Sequence, residues 1–278
     1  MRTWEHVLLT CHVADQRDGS AEPDRAELQK IADQRNQTHP TLESTLAPLL
    51  DRDSTWLFNA FAGVYAWFTA QSAWRASCGL MAAYLPDGSA GRPAVVIDLG
   101  CGPGVSIFEM ARRRPDALYV GLDRSDRMLD EARRRQRRAG SAVQAIRWVR
   151  ADASALPFPT ASVDALTGHS FLYLLGEPAR SRALPETVRV LRPGGRIVLM
   201  EPSARPASLR HVLAVSTDPR HLISVLLWRP FSRLHVRHTP ESLRLTLEQV
   251  GFVGTQVAEV LGGLGLMACG HKPAYYGH

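Results

Sequence analysis

Cysteine is scarce in this sequence, and its spacing forms no motif. The four cysteines are Cys11, Cys78, Cys101 and Cys269. They make no Cys-X-X-Cys pair and no cysteine–histidine spacing of the kind that binds zinc, which argues against a disulfide-stabilised scaffold or a metal site. No uncharged apolar run approaches the roughly 20 residues that span a bilayer, and Glu5, His6 and Asp15 interrupt any N-terminal signal sequence. We therefore expect a cytoplasmic protein that binds no metal.

Lysine is nearly absent as well, so arginine carries the positive charge. Only Lys30 and Lys272 accompany the arginines behind the formal net charge of +6. The densest basic stretch, residues 133–138, could attract phosphates or anionic lipid head groups. However, no aromatic side chains interleave there to stack on bases, and cations complement the dipole at a helix C terminus. We interpret the stretch as a solvated helix end and do not expect nucleic acid as a partner.

The composition changes along the chain and predicts two regions. Residues 1–50 are polar and mixed, whereas apolar residues recur at helical spacing from Ser54 onward. The recurring residues are Leu57, Phe61, Val64, Tyr65 and Phe68. We interpret residues 1–91 as an N-terminal extension and helical cap. Residues 92–278 are predicted to form the main domain, with a helical lid insertion at about 205–237.

From residue 92 onward, short apolar runs alternate with helical patterns. This alternation predicts an α/β fold with a mainly parallel sheet. Strands are predicted at 94–99, 117–122, 145–149, 163–168 and 196–200. Helices are predicted at 105–113, after the capping residue Ser125, along the face of Leu184, Val188 and Leu191, and over 239–251. The final runs, 252–260 and 264–270, have a short connection and predict an antiparallel hairpin.

A glycine-rich turn follows the first predicted strand. It reads Asp98-Leu99-Gly100-Cys101-Gly102-Pro103-Gly104. Glycines at a strand end let the backbone approach a ligand, and the unpaired N–H groups of the next helix point toward it. The dinucleotide fingerprint needs a third glycine where this chain has Val105, so the spacing favours S-adenosylmethionine (SAM) over a nicotinamide cofactor. The cofactor-binding candidates in this turn are Asp98, Gly100, Cys101, Gly102 and Gly104.

Two further aspartates lie at predicted strand ends. Asp123 follows the second strand about 20 residues after the glycine turn, where a carboxylate can bind ribose hydroxyls. Asp152 follows the third strand and could accept a hydrogen bond from the adenine amino group. The alternatives are a helix-capping role for Asp123 and a simple turn carboxylate for Asp152. Because Ser125 already occupies a good capping position, we favour the ribose role for Asp123.

Four stretches resemble the motifs of class I SAM-dependent methyltransferases. They are residues 96–104, 121–123, 151–158 and 191–196. The resemblance covers about residues 92–272. It implies a Rossmann-like three-layer sandwich with a seven-stranded, mostly parallel sheet whose last strand is antiparallel. It also implies SAM as the cofactor and S-adenosylhomocysteine (SAH) as the product.

The aromatic stretch 61–65 further resembles the quinone-biosynthesis and small-molecule C- or O-methyltransferase branch, although Ala66 replaces an aspartate common there. This likeness implies methyl transfer to oxygen or carbon of a quinone, phenol, terpenoid or other natural product of secondary metabolism. The family usually has an apolar residue against adenine where this chain has Arg124. We therefore expect Met128 or residues near Ala153 to cover the adenine instead. Arg124 remains a cofactor-binding candidate.

The candidate catalytic residues are His169, Tyr173 and Glu201. The methyl group of SAM is already activated, so transfer needs mainly a positioned acceptor and the exclusion of water. His169 could remove a proton from a phenol or enol, or it could hydrogen-bond the cofactor or the backbone. Tyr173 either contacts the acceptor or packs, and Glu201 either contacts the acceptor or serves a helix start.

Apolar side chains are concentrated in the two segments expected to cover the acceptor. Phe61 and Tyr65 of the helical cap, with Trp228 and Phe231 of the insertion, are the substrate-binding candidates and predict an apolar or aromatic substrate. These side chains could instead form a second small core or contact a membrane surface. The alternative functions are an RNA methyltransferase and a non-catalytic SAM-binding regulator. The sequence leaves a homodimer open.

Overall fold

Strands and helices alternate along the chain, as predicted. The structure is a computed structural model and describes residues 72–89, 91–140, 143–205 and 237–274, all within one unit, Asp53–His278. The helices are α1 (Ser72–Leu80), α2 (Val105–Arg113), α3 (Asp126–Arg138), α4 (Glu177–Val190) and α5 (Pro240–Val250). The strands are β1 (Val95–Leu99), β2 (Leu118–Asp123), β3 (Arg147–Arg150), β4 (Val163–His169), β5 (Leu191–Pro202), β6 (Val253–Val260) and β7 (Gly265–His271). Within these described ranges, no helix is long and apolar enough to cross a membrane.

The seven strands form one sheet in the order β3-β2-β1-β4-β5-β7-β6. Strands β1 to β5 pair in parallel with one another, whereas β7 lies antiparallel between β5 and β6. The predicted α/β class, the antiparallel last strand and the terminal hairpin are therefore confirmed. The strand order reverses between β1 and β4, and sheets of this type bind ligands in the crevice at that point, beyond the carboxyl ends of the strands.

Apolar side chains cover both faces of the sheet, because successive residues of a strand point to opposite sides. One buried cluster joins strands to α2 and includes Val96, Ala165, Val198, Ile107 and Met110. The other joins strands to α4 and α5 and includes Ile97, Leu166, Leu199, Leu184 and Leu243. The result is the predicted Rossmann-like sandwich of three layers.

The predicted helix ends follow from capping residues. Ser125 accepts a hydrogen bond from the backbone N–H of Met128 at the start of α3. Thr239 and Ser242 form a reciprocal capping box at the start of α5, which has a proline in its first turn. Gly251 ends α5 with φ of 107°, a conformation that favours glycine. The arginine-rich stretch does lie at a helix end, with α3 finishing at Arg138.

Two sequence-based boundaries were wrong. The sequence pattern places Leu191 on the face of a helix, but in the structure Leu191 begins β5 and pairs with Val163 of β4. The next residue of β5 that pairs with β4 is Arg196, so the turn between Leu191 and Arg196 loops out of the strand. The third strand begins at Arg147 instead of 145. The Gln136 side-chain amide donates to the carbonyls of Val143 and Ile146, which holds the preceding residues in a turn against α3.

Asp164, at the start of β4, provides a test of the ion pairs at the amino ends of the strands. Its carboxylate accepts two hydrogen bonds from Arg92, one from Arg192 and one from the Val95 N–H, and its side chain is only 14% exposed. Burial acts to raise the pKa of Asp164, but these bonds outweigh it and lower the pKa to about 2. We expect Asp164→Asn to lower the free energy of unfolding by about 2 kcal/mol at pH 7, measured by urea denaturation.

The sign of the pH dependence follows from the lowered pKa. The contribution of Asp164 is complete above its ordinary pKa of 3.8 and is lost as the pH falls through about 2. The difference between wild type and Asp164→Asn should therefore shrink between pH 5 and pH 3. Asp130→Asn is the control, because that aspartate also pairs with an arginine but is 59% exposed, and we expect a change below about 0.5 kcal/mol. Equal losses in the two variants would contradict the prediction.

Candidate cofactor site

The glycine turn connects β1 to α2 and is held mainly by backbone hydrogen bonds. The Cys101 N–H donates to the carbonyl of Leu122 in β2 at 3.0 Å, and the Gly104 N–H donates to the carbonyl of Cys101 at 2.9 Å. Gly100 has φ of +60° and lies on the surface, with its backbone open to a ligand. Cys101 itself is buried, and burial raises the pKa of its thiol. The Cys101 side chain therefore packs on the interior side of the turn.

Asp98, just before the turn, is fully buried. One carboxylate oxygen accepts from Ser106 Oγ at 2.5 Å and the other from Thr167 Oγ1 at 2.8 Å. Burial raises the pKa of Asp98 to about 6, although these bonds act against it. Asp98 thus joins β1 to the first turn of α2 and to β4, so it fixes the geometry of the glycine turn. Its two hydroxyl partners could not be predicted from the sequence.

Asp123 ends β2 directly beside the glycine turn. Its Oδ2 accepts from the Gly102 N–H and its Oδ1 from the Ser125 N–H, both at 2.8 Å. Burial raises the pKa of Asp123 while these backbone bonds act to lower it. Because each carboxylate oxygen can accept more than one hydrogen bond, the half-buried side chain retains capacity for ligand hydroxyls.

Arg124 and Asp152 face each other beyond the ends of β2 and β3. Arg124 Nε lies 3.4 Å from Asp152 Oδ2, and the two side chains are 48% and 45% exposed. Burial acts to raise the pKa of Asp152, but hydrogen bonds from Ser154 and the Arg124 charge lower it overall. In contrast, Met128 and Ala153 are buried. The side chains expected to cover the adenine are therefore not exposed, and of these cofactor-binding candidates Arg124 is the exposed one.

His169 ends β4 with both ring nitrogens near hydroxyl groups. Its Nε2 lies 2.9 Å from Ser77 Oγ of α1, and its Nδ1 lies 3.3 Å from Ser170 Oγ. Burial lowers the pKa of His169 to about 3, so the ring is neutral at physiological pH. Ser170 has φ of +56° and donates its N–H to the Met200 carbonyl, which fixes the chain direction immediately after the histidine.

Glu201, near the end of β5, holds the segment that follows His169. Its carboxylate accepts hydrogen bonds from the backbone N–H groups of Phe171, Leu172 and Tyr173, at 2.8 to 3.2 Å. Burial raises the pKa of Glu201 to about 7 against the effect of these bonds. Tyr173 is itself buried. This geometry matches the alternative interpretation of Glu201, in which the carboxylate serves a helix start, here a single 3-10 turn at Leu172–Leu174.

Trp148 is a site-forming residue that the sequence analysis missed. A side chain at Gly121, its register partner in β2, would place Cβ 2.5 Å from the Trp148 ring, and one at Gly104 would place Cβ 2.8 Å from it. The indole N–H donates to Gln136 Oε1 at 2.6 Å, and the ring packs edge-on against Phe108. A tryptophan in one predicted strand and a glycine in the neighbouring predicted strand are the signal that could have revealed this packing.

The four substrate-binding candidates lie outside the described residues. They are Phe61 and Tyr65 of the predicted helical cap, and Trp228 and Phe231 of the predicted insertion. Their roles stay predictions. The described residues do bring together Asp98, the glycine turn, Asp123, Arg124 and Asp152 at the carboxyl ends of β1, β2 and β3, with His169 at the end of the neighbouring β4.

Comparison with known proteins agrees with this arrangement. Residues 96–195 match a family model described as a methyltransferase domain. These residues are thus similar to a methyltransferase domain. The matched residues include the glycine turn, Asp123, Asp152 and His169.

Curated relatives match about two fifths of this chain. A trans-aconitate 2-methyltransferase from Azoarcus sp. (strain BH72) is 38% identical over 109 residues, which are 39% of this chain and 39% of that protein. A demethylmenaquinone methyltransferase from Deinococcus radiodurans is also 38% identical over 109 residues, 39% of this chain and 43% of the relative. The chain thus spans about two fifths of the length of these curated relatives.

A solved structure shares the wider fold. A phosphoethanolamine-type N-methyltransferase from Haemonchus contortus, in complex with SAH, aligns with a TM-score of 0.58 at 14% identity. The alignment covers 84% of this chain and 61% of that one. At this identity the likeness concerns the fold, and it extends well beyond the methyltransferase domain matched by the family model.

Proposed function

We propose that the protein transfers the methyl group of SAM to an oxygen or carbon atom of a mainly hydrophobic small molecule, such as a quinone precursor, a phenol or a terpenoid. The observation that carries the proposal is the convergence of the glycine turn, Asp123 and Asp152 at adjacent strand ends of a methyltransferase domain. The name of the Deinococcus relative, a demethylmenaquinone methyltransferase, supports a quinone-like acceptor.

The residues present fit SAM. The exposed backbone of Gly100 allows close approach, and Asp123 retains acceptor capacity for ribose hydroxyls. The Asp152 carboxylate suits the adenine amino group, and the planar Arg124 guanidinium beside it can stack on an aromatic ring. SAM supplies a methyl group on a sulfonium, which needs no further activation. What the chain must supply is position and the exclusion of water.

On the acceptor side we propose different roles for the three catalytic candidates. His169 has a pKa far below neutrality, whereas a general base works best with a pKa near the working pH. We therefore assign His169 to positioning, through its contacts with the hydroxyl groups of Ser77 and Ser170, and not to proton removal. Glu201 is a positioning residue that fixes residues 171–173, and the buried Tyr173 contributes packing there.

Transfer of labelled methyl groups tests the proposal. The protein is incubated with methyl-labelled SAM and, separately, with quinols, phenols, terpenoids, trans-aconitate and RNA, and the label in each product is counted. We expect labelled product from an apolar pool, with formation of SAH, and strongly reduced labelling with Asp123→Ala. Label only in trans-aconitate or RNA, or SAM binding without transfer to any pool, would contradict the proposed substrate class.

A further inference from the structure

Two buried nitrogen atoms near the end of β5 have no hydrogen-bond partner. They are Arg180 Nε and His238 Nε2, in residues that are only 9% and 3% exposed. The third such atom among the described residues, Thr255 Oγ1, belongs to the edge strand β6. Buried polar groups are nearly always paired because leaving one unpaired is costly. Two unpaired nitrogens in one region therefore indicate a polar group that binds there.

The rest of the Arg180 guanidinium is already fixed. Its Nη2 donates to the Leu175 carbonyl at 3.0 Å, and its Nη1 lies 3.4 Å from the exposed carboxylate of Glu177. These contacts hold the arginine across the first turn of α4, and the remaining donor, Nε–H, is left buried. The side chain is thus oriented by protein contacts before any ligand arrives.

His238 lies in the same region, beside the end of β5. The Ala204 N–H donates to the His238 carbonyl at 2.8 Å, which joins His238 to the chain just beyond β5, and α5 begins two residues later. The Arg180 charge is close enough to act on both His238 and Glu201. Burial and this charge lower the pKa of His238 to about 4. The neutral ring can therefore donate one N–H.

Glu201 does not complete the pairing. Its two oxygens accept three backbone hydrogen bonds from residues 171–173, and Arg180 Nε remains without a partner despite the nearby carboxylate. A negatively charged oxygen would accept hydrogen bonds from both groups, the Nε–H of the fixed guanidinium and the N–H of the neutral imidazole. Burial strengthens the attraction because the local dielectric constant is low.

We propose that Arg180 and His238 form a subsite that binds an oxyanion, a carboxylate or phosphate, on the methyl acceptor. The subsite lies at the carboxyl end of β5, next to the segment that Glu201 holds after His169. This inference rests on the proposed function, because the bound ligand is a methyl acceptor only if the protein transfers methyl groups. The acceptor would then be amphiphilic, with an apolar body and one charged oxygen group.

The subsite can be tested with simple anions on the full-length protein. Benzoate and inorganic phosphate are titrated separately in the presence of SAH, and the His238 ring resonance, assigned with His238→Gln, is followed by NMR. We expect at least one anion to shift the His238 signal and to raise its pKa, because a nearby negative charge favours the protonated ring. The anion whose titration saturates at the lower concentration shows whether the subsite prefers a carboxylate or a phosphate.

Matched arginine variants provide the decisive comparison. Arg180→Met should weaken anion binding at least tenfold, and Arg180→Lys should also weaken it because lysine lacks the fixed Nε–H. Arg244→Met, which removes a 38% exposed arginine from α5, should bind as wild type does. If Arg180→Met does not fold, Arg180→Lys provides the same test. Equal anion binding by wild type and the folded Arg180 variants, or no shift of the His238 signal in the wild type, would overturn the subsite.

Calorimetry with SAH separates this inference from the proposed function. If SAH does not bind but anions shift the His238 signal, the proposed function fails and the anion site stands. If SAH binds and neither anion does, the subsite is wrong and the methyl-transfer proposal is unaffected.

Discussion

Asp123→Ala is expected to weaken the binding of SAH and SAM by about 10- to 100-fold, corresponding to about 1 to 3 kcal/mol. In the proposed complex the carboxylate accepts hydrogen bonds from the ribose hydroxyls. The same carboxylate also holds the Gly102 and Ser125 N–H groups at 2.8 Å. Alanine removes both functions, so the ligand loses its partners and the glycine turn loses its connection to β2.

Asp126→Ala is the control for this experiment. Asp126 lies three residues further along the chain, in the first turn of α3, and pairs with Arg150 on the surface, with both side chains at least 60% exposed. Its replacement should leave the dissociation constant for SAH unchanged. Calorimetry measures the dissociation constant for SAH in wild type, Asp123→Ala and Asp126→Ala, and urea denaturation compares their stabilities. An unchanged dissociation constant in Asp123→Ala would show that the ribose lies elsewhere.

The second large effect is expected for Gly104→Ala. Gly104 has φ of +82°, and a Cβ atom would lie 2.8 Å from the Trp148 ring and 3.0 Å from the Phe108 ring. Neither ring can move freely, because Trp148 is bonded to Gln136 and packs edge-on against Phe108. The backbone conformation alone costs alanine about 1 to 2 kcal/mol, and overpacking adds about 1 to 3 kcal/mol. We expect both reduced stability and loss of measurable SAH binding.

Gly194→Ala isolates the contribution of the rings. Gly194 has a similar φ of +74°, but a Cβ atom there would meet nothing within 4 Å. Its replacement should cost only the backbone strain, about 1 to 2 kcal/mol, and should leave SAH affinity intact. Urea denaturation and calorimetry measure the two quantities. Equal losses of stability and of affinity in the two alanine variants would show that contact with Trp148 does not constrain the turn.

The local elements of the fold were predictable because each depends on nearby residues. Ser125 and Thr239 cap helices from positions that the sequence marks clearly, and Gly251 ends α5 as expected. The parallel sheet and the antiparallel β7 followed from the alternation of strands and helices and from the family resemblance. Leu191 was misplaced because an apolar residue between a helix and a turn fits either element. Only its pairing with Val163 shows that the strand starts there.

The candidate site was predictable where a residue acts from a fixed position after a strand, as Asp123 and Asp152 do. The partners of Asp98 were not, because Thr167 lies 69 residues away and meets it only when β1 and β4 pair. The same holds for Trp148, whose ring reaches the glycine turn through the register of β2 and β3. Likewise, the burial of Arg180 and His238 arises from tertiary packing and leaves no signal in the sequence.

Calorimetric titration of the full-length protein with SAH and, separately, with NADH tests the central claim most directly. We expect one SAH site per chain, competition by SAM and no detectable NADH binding. We also expect a 10- to 100-fold weaker SAH affinity in Asp123→Ala, which corresponds to about 1 to 3 kcal/mol of lost hydrogen bonding. Preferential binding of NADH, or an absence of SAH and SAM binding by the folded protein, would contradict the central claim.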